Sequence, residues 1–114
     1  MITLKTLPQA TEQDVFDQVK DHLLKQGQKS ITLVNGRSTC AYRGRDGLKC
    51  AAGCLIGDDE YIPEWEGNIW GSMLGMCSAH NDLIVKLQRI HDEEDPVDWA
   101  ISLEDLAKDL GLKY

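Results

Sequence analysis

The sequence predicts a small α+β domain, with an N-terminal helix, a short antiparallel β-hairpin or meander, and a helical C-terminal half. Apolar residues recur at helical spacing after Thr11 and again over the last third of the chain. Between these regions, Asn35-Gly36 separates two short β-rich runs and is a strong hairpin signal. The 114 residues suffice for one modest hydrophobic core, so residues 1–114 are predicted to form a single domain.

The first helix is predicted from its start, its apolar face and its stop. Thr11 and Asp14 have the spacing of a capping box, with Asp in place of the usual Glu. Gly27 is a typical helix stop. The apolar positions between these signals are Val15, Phe16, Val19 and Leu23.

The middle of the chain is predicted to be a small meander of two or three short strands. Residues 31–34 are β-rich, and residues 38–42 are the expected partner strand across the turn. The glycines at positions 44 and 47 reverse the chain again. Residues 51–56 are apolar but too few to classify by period, and the signals that follow them indicate a turn or a single helical turn.

The C-terminal half is predicted to contain helices with defined boundaries. Residues 68–76 are expected to be helical, and Ser78 is the expected N-cap of the next helix. Asp95 before Pro96 is a good start for the last helix, and Gly111 is its expected stop. The apolar faces of these last two helices are formed by Leu83, Ile84, Leu87 and Ile90 and by Trp99, Leu103, Leu106 and Leu110.

The formal charge of −7 is divided unevenly along the chain. Residues 1–57 contain eight Lys or Arg against five Asp or Glu, whereas residues 58–114 contain four against fourteen. An acidic molecule repels phosphate backbones, so nucleic acid is a disfavoured partner and a basic surface on another protein is a favoured one. The opposite-signed halves could also meet between two copies, which leaves a homo-oligomer open.

The sequence also suggests a compartment. No apolar run approaches the ~18 residues that cross a bilayer, and residues 1–14 lack the pattern of a secretory signal. We therefore expect a cytoplasmic protein with no membrane association. In that compartment we expect the four cysteines to be thiols or metal ligands, whereas in an exported protein their even number would also allow disulfides.

The cysteines allow three interpretations, and we prefer the one in which they pack as small apolar groups, with Cys40 facing Cys50 across paired strands. As nucleophiles they would need a cation and a His base; Lys49 adjoins Cys50, but no His has a recognised spacing to a cysteine. As metal ligands they would hold zinc, the one cofactor left open, although the usual tight Cys-x2-Cys pair is missing. The candidate ligands are Cys40, Cys50, Cys54, Cys77 and His80.

Two acidic groups are candidate surfaces for a protein partner. The first mixes carboxylates with aromatic residues, which often anchor interfaces, although these aromatic residues could equally cover the core. The second, residues 91–95, lacks the order of an EF-hand loop and is interpreted as a solvated loop between two helices. The predicted interaction residues are Asp58, Asp59, Glu60, Tyr61, Trp65, Glu66, Asp92, Glu93 and Glu94.

One basic cluster lies near the predicted hairpin. It is the candidate for a phosphate or nucleic-acid contact, and it ranks last because the chain as a whole is acidic. Its residues are Arg37, Arg43, Arg45 and Lys49.

The middle third of the chain carries a recognisable motif. From Cys40 to Tyr61 it reads C-x-Y-R-G-x2-G-x-K-C-A-x-G-x-L-I-x-D-x2-Y, and Glu66-Gly67 follows. This pattern resembles a group of short uncharacterised proteins from tailed bacteriophages and bacterial genomes. The resemblance implies a bacterial or phage-infected cytoplasm, where small acidic proteins often bind and redirect a host protein, and it implies no reaction or ligand.

The sequence is therefore interpreted as a small acidic phage-type accessory protein that binds a host protein without catalysis. The alternative is a zinc-containing or thiol-dependent enzyme built on the five candidate ligands. Charge and the lack of a convincing catalytic constellation favour the first interpretation; the number of thiols and imidazoles is the basis of the second.

Overall fold

The computed structural model describes residues 1–68, 70–71 and 79–114. Short 3₁₀ turns join the main elements, and all three helices contribute to one hydrophobic core in the described residues. The predicted α+β class with a helical C-terminal half is confirmed. In chain order the helices and strands are α1 (Glu12–Gln26), β1 (Ile31–Val34), β2 (Arg37–Cys40), α2 (Asn81–Glu93) and α3 (Trp99–Leu110).

Helix α1 begins and ends where the sequence predicts. The Asp14 N–H donates to Thr11 Oγ1 (3.0 Å) and the Thr11 N–H donates to Asp14 Oδ2 (3.1 Å), so the capping box is complete. Gly27 adopts a left-handed conformation with φ 65°, and its N–H donates to the Leu23 carbonyl. The helix buries Val15, Phe16, Val19 and Leu23.

Strands β1 and β2 form a hairpin with a two-residue turn. Asn35 and Gly36 have φ values of 53° and 78°, as a type I′ turn requires. The antiparallel register places Ile31 opposite Cys40. In the described residues the predicted meander thus has two strands. The second ends at Cys40 rather than continuing to position 42, since the Tyr42 N–H donates to Glu66.

After the hairpin, the chain folds back on α1 and α2 as a 3₁₀ helix, Ala52–Leu55, in the segment that the sequence left unclassified. The turn predicted after that segment is present at residues 58–60. A Cβ atom at Gly53 would clash with the backbone carbonyl of Tyr42, so this close approach requires glycine. The Arg43 side chain donates to the carbonyls of Gly53 (2.8 Å) and Ile56 (2.6 Å). It thereby gives the Ile56 carbonyl a donor and adds a second donor to the Gly53 carbonyl, which also accepts from the Ile56 N–H.

Helix α2 starts later than the sequence predicts. Its N-cap is His80, in a left-handed conformation with φ 60°, whereas the predicted cap, Ser78, lies outside the described residues. Within the predicted helix 68–76, Asn68 is in a bend and residues 70–71 are in a turn; the other residues are not described. His91 is fully buried on the apolar face, whereas Ile90, predicted for that face, is only partly buried.

Helix α3 follows the 3₁₀ turn Pro96–Asp98, so the start signal predicted at Asp95-Pro96 belongs to that turn. Gly111, with φ 70°, ends α3 as predicted. The buried face of α3, a helix that contacts both α1 and α2, consists of Trp99, Leu103 and Ala107, with Leu106 and Leu110 partly buried. In the described part of the chain, no helix combines the length and apolar character needed to cross a membrane.

Candidate functional site

Within the described residues, a cluster of side chains that could bind a metal lies where the end of β2 meets the last turns of α2. The cluster consists of Cys40, His91 and Asp92. Each offers one potential ligand atom, a sulfur, a ring nitrogen or a carboxylate oxygen, and these three atoms lie within 4.8 Å of one another. Gln88, also on α2, donates through Nε2 to Cys40 Sγ (2.8 Å) and to Asp92 Oδ1 (2.8 Å). These residues form one wall of a cavity of about 600 Å³ between the hairpin and α2.

His91 at the centre of this cluster has both ring nitrogens engaged. The Ser30 backbone N–H donates to His91 Nε2 (2.9 Å), and because an amide N–H can only donate, Nε2 carries no proton. The proton is therefore on Nδ1, which donates to Asp92 Oδ1 (2.7 Å). The ring is fully buried and stacks on Trp99, with centroids 5.6 Å apart. His91 is thus a neutral side chain that ties α2 to β1 and α3.

This tautomer works against both a metal and a catalytic role for His91. A metal at Nδ1 would move the ring proton to Nε2, where it would face the Ser30 N–H and leave two buried donors opposed. For the same reason, Nε2 is not available as a base for the Cys40 thiol. The arrangement leaves Cys40 and Asp92 as the groups of this cluster that could turn to a ligand.

The surroundings of Cys40 and Cys54 favour the protonated thiol. The hydrogen bond with Cys50, followed by burial, raises the pKa of the Cys40 thiol far above its usual range. Burial raises the pKa of Cys54 to about 12, and its thiol donates to the Ala51 carbonyl (3.2 Å). Cys50 is fully buried, and the Gly53 N–H donates to its sulfur (3.4 Å). Since the thiolate is both the nucleophile and the metal ligand, these environments favour packing.

The structure does not bring the predicted zinc ligands together in the residues it describes. Within that part of the chain, Cys40 is the one predicted ligand that belongs to a metal-compatible group, and its companions there are His91 and Asp92. His80 Nε2 donates to the Ala10 carbonyl (2.8 Å) instead. Cys77 lies outside the described residues, so zinc binding by the full predicted set stays a prediction.

Sequence reasoning missed two residues of this site, Gln88 and Ser30. Gln88 could have been found from spacing, because it lies three and four residues before His91 and Asp92 and so shares their helix face. No local signal identifies Ser30, whose contact with His91 spans 61 residues.

The first acidic group, residues 58–66, is partly engaged in the fold, through Glu66 and Glu60. The two Glu66 carboxylate oxygens accept from the N–H groups of Tyr42 (2.9 Å) and Arg43 (3.0 Å) and from the Tyr61 hydroxyl (2.6 Å). Trp65 is only 4% exposed. Burial, followed by the hydrogen bond to Glu66, raises the pKa of Tyr61 to about 12.

Glu60 and Asp58 of this group also have intramolecular partners. Burial alone would raise the pKa of Glu60, but the backbone N–H groups of Gly57, Leu4 and Lys5 donate to its carboxylate and lower the pKa overall. Asp58 lies 3.1 Å from the Arg43 guanidinium and 3.6 Å from Lys49 Nζ. Asp58 itself, Asp59 and Glu64 remain exposed, so within this group the carboxylates held by the fold are those of Glu60 and Glu66.

The basic cluster divides into engaged and exposed members. Arg43 donates to three backbone carbonyls and to Asp58, and its guanidinium lies 5.1 Å from the centre of the Tyr61 ring. Lys49 is near Asp58. Arg37 and Arg45 are exposed and, within the described residues, take part in no ion pair. Two of the four cations, Arg43 and Lys49, thus already have a carboxylate partner, and a phosphate contact by the cluster stays a prediction.

Residues 92–109, here called the acidic segment, contrast with the first acidic group. They contain eight Asp or Glu and one Lys, a formal charge of −7 that equals the net charge of the chain. All eight acidic residues are exposed. Ion pairs in the described residues use only Glu93 with Arg89 (4.0 Å) and Glu104 with Lys108 (3.9 Å), besides the contact of Asp92 with neutral His91.

Two apolar side chains stand exposed within the acidic segment. Val97, in the turn before α3, is 82% exposed, and Ile101, in the first turns of α3, is 63% exposed. They lie four residues apart with carboxylates on both sides in sequence. The acidic segment therefore combines unpaired negative charge with apolar contact area.

The chain matches no protein-family model, no curated protein and no solved structure at a significant level.

Proposed function

We propose that this protein is a small phage-type accessory protein that binds a basic surface of a host protein through its acidic segment and has no catalytic activity. The observation that carries the proposal is that the acidic segment has a formal charge of −7, with all eight of its carboxylates exposed, around the exposed side chains of Val97 and Ile101. The bacterial cytoplasmic setting rests on the resemblance of the Cys40–Tyr61 motif to short phage and bacterial proteins.

The physical basis is long-range attraction followed by short-range contact. Clustered charges of one sign steer an oppositely charged partner toward the surface and raise its association rate. Interfaces commonly have an apolar centre and a polar rim, and Val97 with Ile101 supplies such a centre beside carboxylates such as Glu94 and Asp98. The partner surface would thus bear Lys or Arg around an apolar patch.

The environment of the thiols supports a role without catalysis. A nucleophilic cysteine needs a lowered pKa and an available base, whereas the pKa values of Cys40 and Cys54 are raised and His91 has both nitrogens engaged. The first acidic group supports the location of the surface, because Glu60 and Glu66 are engaged with backbone N–H groups.

The test is capture of host proteins from bacterial lysate on immobilised protein, with each retained protein quantified by mass spectrometry. A partner of the acidic segment is one whose retention falls on Ile101→Ser and on Asp98→Asn with Asp105→Asn. The matched control is Asp17→Asn with Asp21→Asn, which removes equal charge from exposed positions of α1. We expect retention to fall as salt rises. The proposal fails if no host protein distinguishes the acidic-segment variants from the control.

A metal centre is the second candidate, favoured by the approach of Cys40, His91 and Asp92 within 4.8 Å. Such a centre would require His91 to release the Ser30 N–H and Cys40 to lose its proton. Native mass spectrometry of protein purified without chelator or affinity metal tests it. Stoichiometric zinc that is lost in Cys40→Ser would establish the metal centre, whereas a metal-free mass would remove it.

A further inference from the structure

Strand β1 has a free edge whose backbone groups point away from β2. In a hairpin with a two-residue turn, the flanking residues form a hydrogen-bonded pair, and hydrogen-bonded pairs alternate from there. The Ala41 N–H donates to the Ser30 carbonyl (2.9 Å), which continues this alternation. The N–H and C=O groups of Ile31 and Leu33 therefore point outward, and no hydrogen bond within the described residues reaches them.

The side chains on this edge are apolar and exposed. Ile31 and Leu33 lie on the same face of the strand and are 44% and 71% exposed. Residues 30–36 contain no charged side chain and no proline. Lysine, proline and bulges are the usual means by which proteins prevent an edge strand from pairing, and β1 has none of them.

The opposite edge of the sheet, on β2, is different. Its outward-facing positions continue from Ser38 and Cys40 to Tyr42, whose N–H donates to Glu66. The β2 strand also begins with the charged Arg37. This edge is thus partly covered by the chain itself and partly protected by charge, which leaves β1 as the edge suited to pairing.

We propose that β1 pairs with β1 of a second copy of this protein to form a four-stranded antiparallel sheet about a two-fold axis. With the axis at Thr32, Ile31 lies opposite Leu33 of the second copy. Both residues direct their N–H and C=O groups outward, so the two symmetric pairs make four intermolecular hydrogen bonds. Each exposed Leu33 is covered by an Ile31, so the strand is complementary to itself.

The size and charge of this contact predict how the dimer behaves. A four-residue edge buries less than the roughly 1,000 Å² of a stable interface, so the dimer forms weakly, at concentrations on the order of 10–100 μM. Each copy has a formal charge of −7, so added salt reduces repulsion and strengthens the dimer. Binding of a basic partner by the acidic segment has the opposite salt dependence, so the two proposals can fail separately.

The test is sedimentation velocity of the full chain from about 5 to about 500 μM, at low and high salt. We expect a monomer that becomes a dimer as concentration rises, together with slower hydrogen exchange of the Leu33 amide at high concentration. A monomer over the whole range would overturn the proposal and leave the edge to a segment of another protein.

Proline substitutions identify the edge. Leu33→Pro removes an outward donor but keeps the hydrogen bonds between β1 and β2, and Ser38→Pro does the same on the opposite edge. We expect Leu33→Pro to weaken self-association at least tenfold and Ser38→Pro to leave it unchanged. The reverse result, or equal dimerisation of both variants and wild type, would overturn the β1 interface. If circular dichroism shows that Leu33→Pro does not fold, Leu33→Lys replaces it, with Leu24→Lys on the exposed face of α1 as its control. We expect Leu33→Lys to weaken self-association and Leu24→Lys to leave it unchanged, and equal effects would overturn the β1 interface.

Discussion

Residues 58–66 and residues 92–109 are both rich in carboxylates, yet the structure uses them differently. In the first region, Glu60 and Glu66 accept hydrogen bonds from backbone N–H groups that are distant in sequence, and Asp58 pairs with Arg43. In the second, the acidic side chains face solvent and few have a cationic partner in the described residues. Acidic sequence alone therefore does not identify a binding surface; the partners of each carboxylate do.

The largest expected effect is the loss of Glu66. Glu66→Ala leaves the N–H groups of Tyr42 and Arg43 and the Tyr61 hydroxyl without their acceptor, and we expect it to lower the free energy of unfolding by about 3 kcal/mol. Glu94→Ala, on the exposed acidic segment, should change it by less than about 0.5 kcal/mol. Urea unfolding of both variants measures the difference. Equal effects would mean that the contrast between the two regions is wrong.

His91 directly precedes the acidic segment, but its side chain is buried and hydrogen-bonded at both ring nitrogens. Replacing it tests whether these contacts stabilise the fold. His91→Phe keeps a ring against Trp99 but removes the acceptor of the buried Ser30 N–H, so we expect a loss of about 2 kcal/mol in the free energy of unfolding. Nitrogen-15 NMR of the wild-type imidazole should show the proton on Nδ1. A proton on Nε2 would contradict the hydrogen bond from Ser30 and restore Nδ1 as a metal ligand.

The thiols of the central region should be slow to react. Their raised pKa values keep little thiolate at neutral pH, so we expect iodoacetamide to modify Cys40 and Cys54 at least ~10-fold more slowly in the native protein than in urea. Cys40 is the more informative of the two because it lines the cavity, so the reagent can reach it. A slow reaction at Cys40 would therefore reflect its raised pKa rather than burial from the reagent. Peptide mass spectrometry resolves each site. Native Cys40 that reacted as fast as in urea would revive the thiol-dependent enzyme.

The sequence predicted those elements whose signals are local. The capping box at Thr11, the Asn35-Gly36 turn and the glycine stops all act within a few residues, and each appears in the structure where it was expected. The start of α2 at His80 carries no such signal, since a non-glycine residue in a left-handed conformation depends on its surroundings.

The candidate site was harder to predict because its contacts are long-range. Cys40, Ser30 and His91 come together only when the hairpin packs on α2, and no period or motif in the sequence encodes that approach. The carboxylates of residues 58–66 were indistinguishable by type from those of residues 92–109. Their difference depends on which backbone N–H groups the fold leaves near them.

The smallest expected effect is a pH dependence of the free energy of unfolding that arises from His22, a partly buried residue of α1. Burial lowers the pKa of His22 below 6.5. The hydrogen bond that its Nε2 donates to the Lys49 carbonyl (2.8 Å) raises the pKa, but burial has the larger effect. The unfolded chain therefore binds a proton more readily, so the stability that His22 contributes is full above pH 6.5 and is lost as the pH falls through the lower pKa of the folded state.

His22→Gln offers a donor to the same carbonyl but does not titrate, so its unfolding free energy should vary less between neutral and mildly acidic pH. Chemical unfolding of both proteins across that range measures this, and parallel curves would mean that burial of His22 does not contribute.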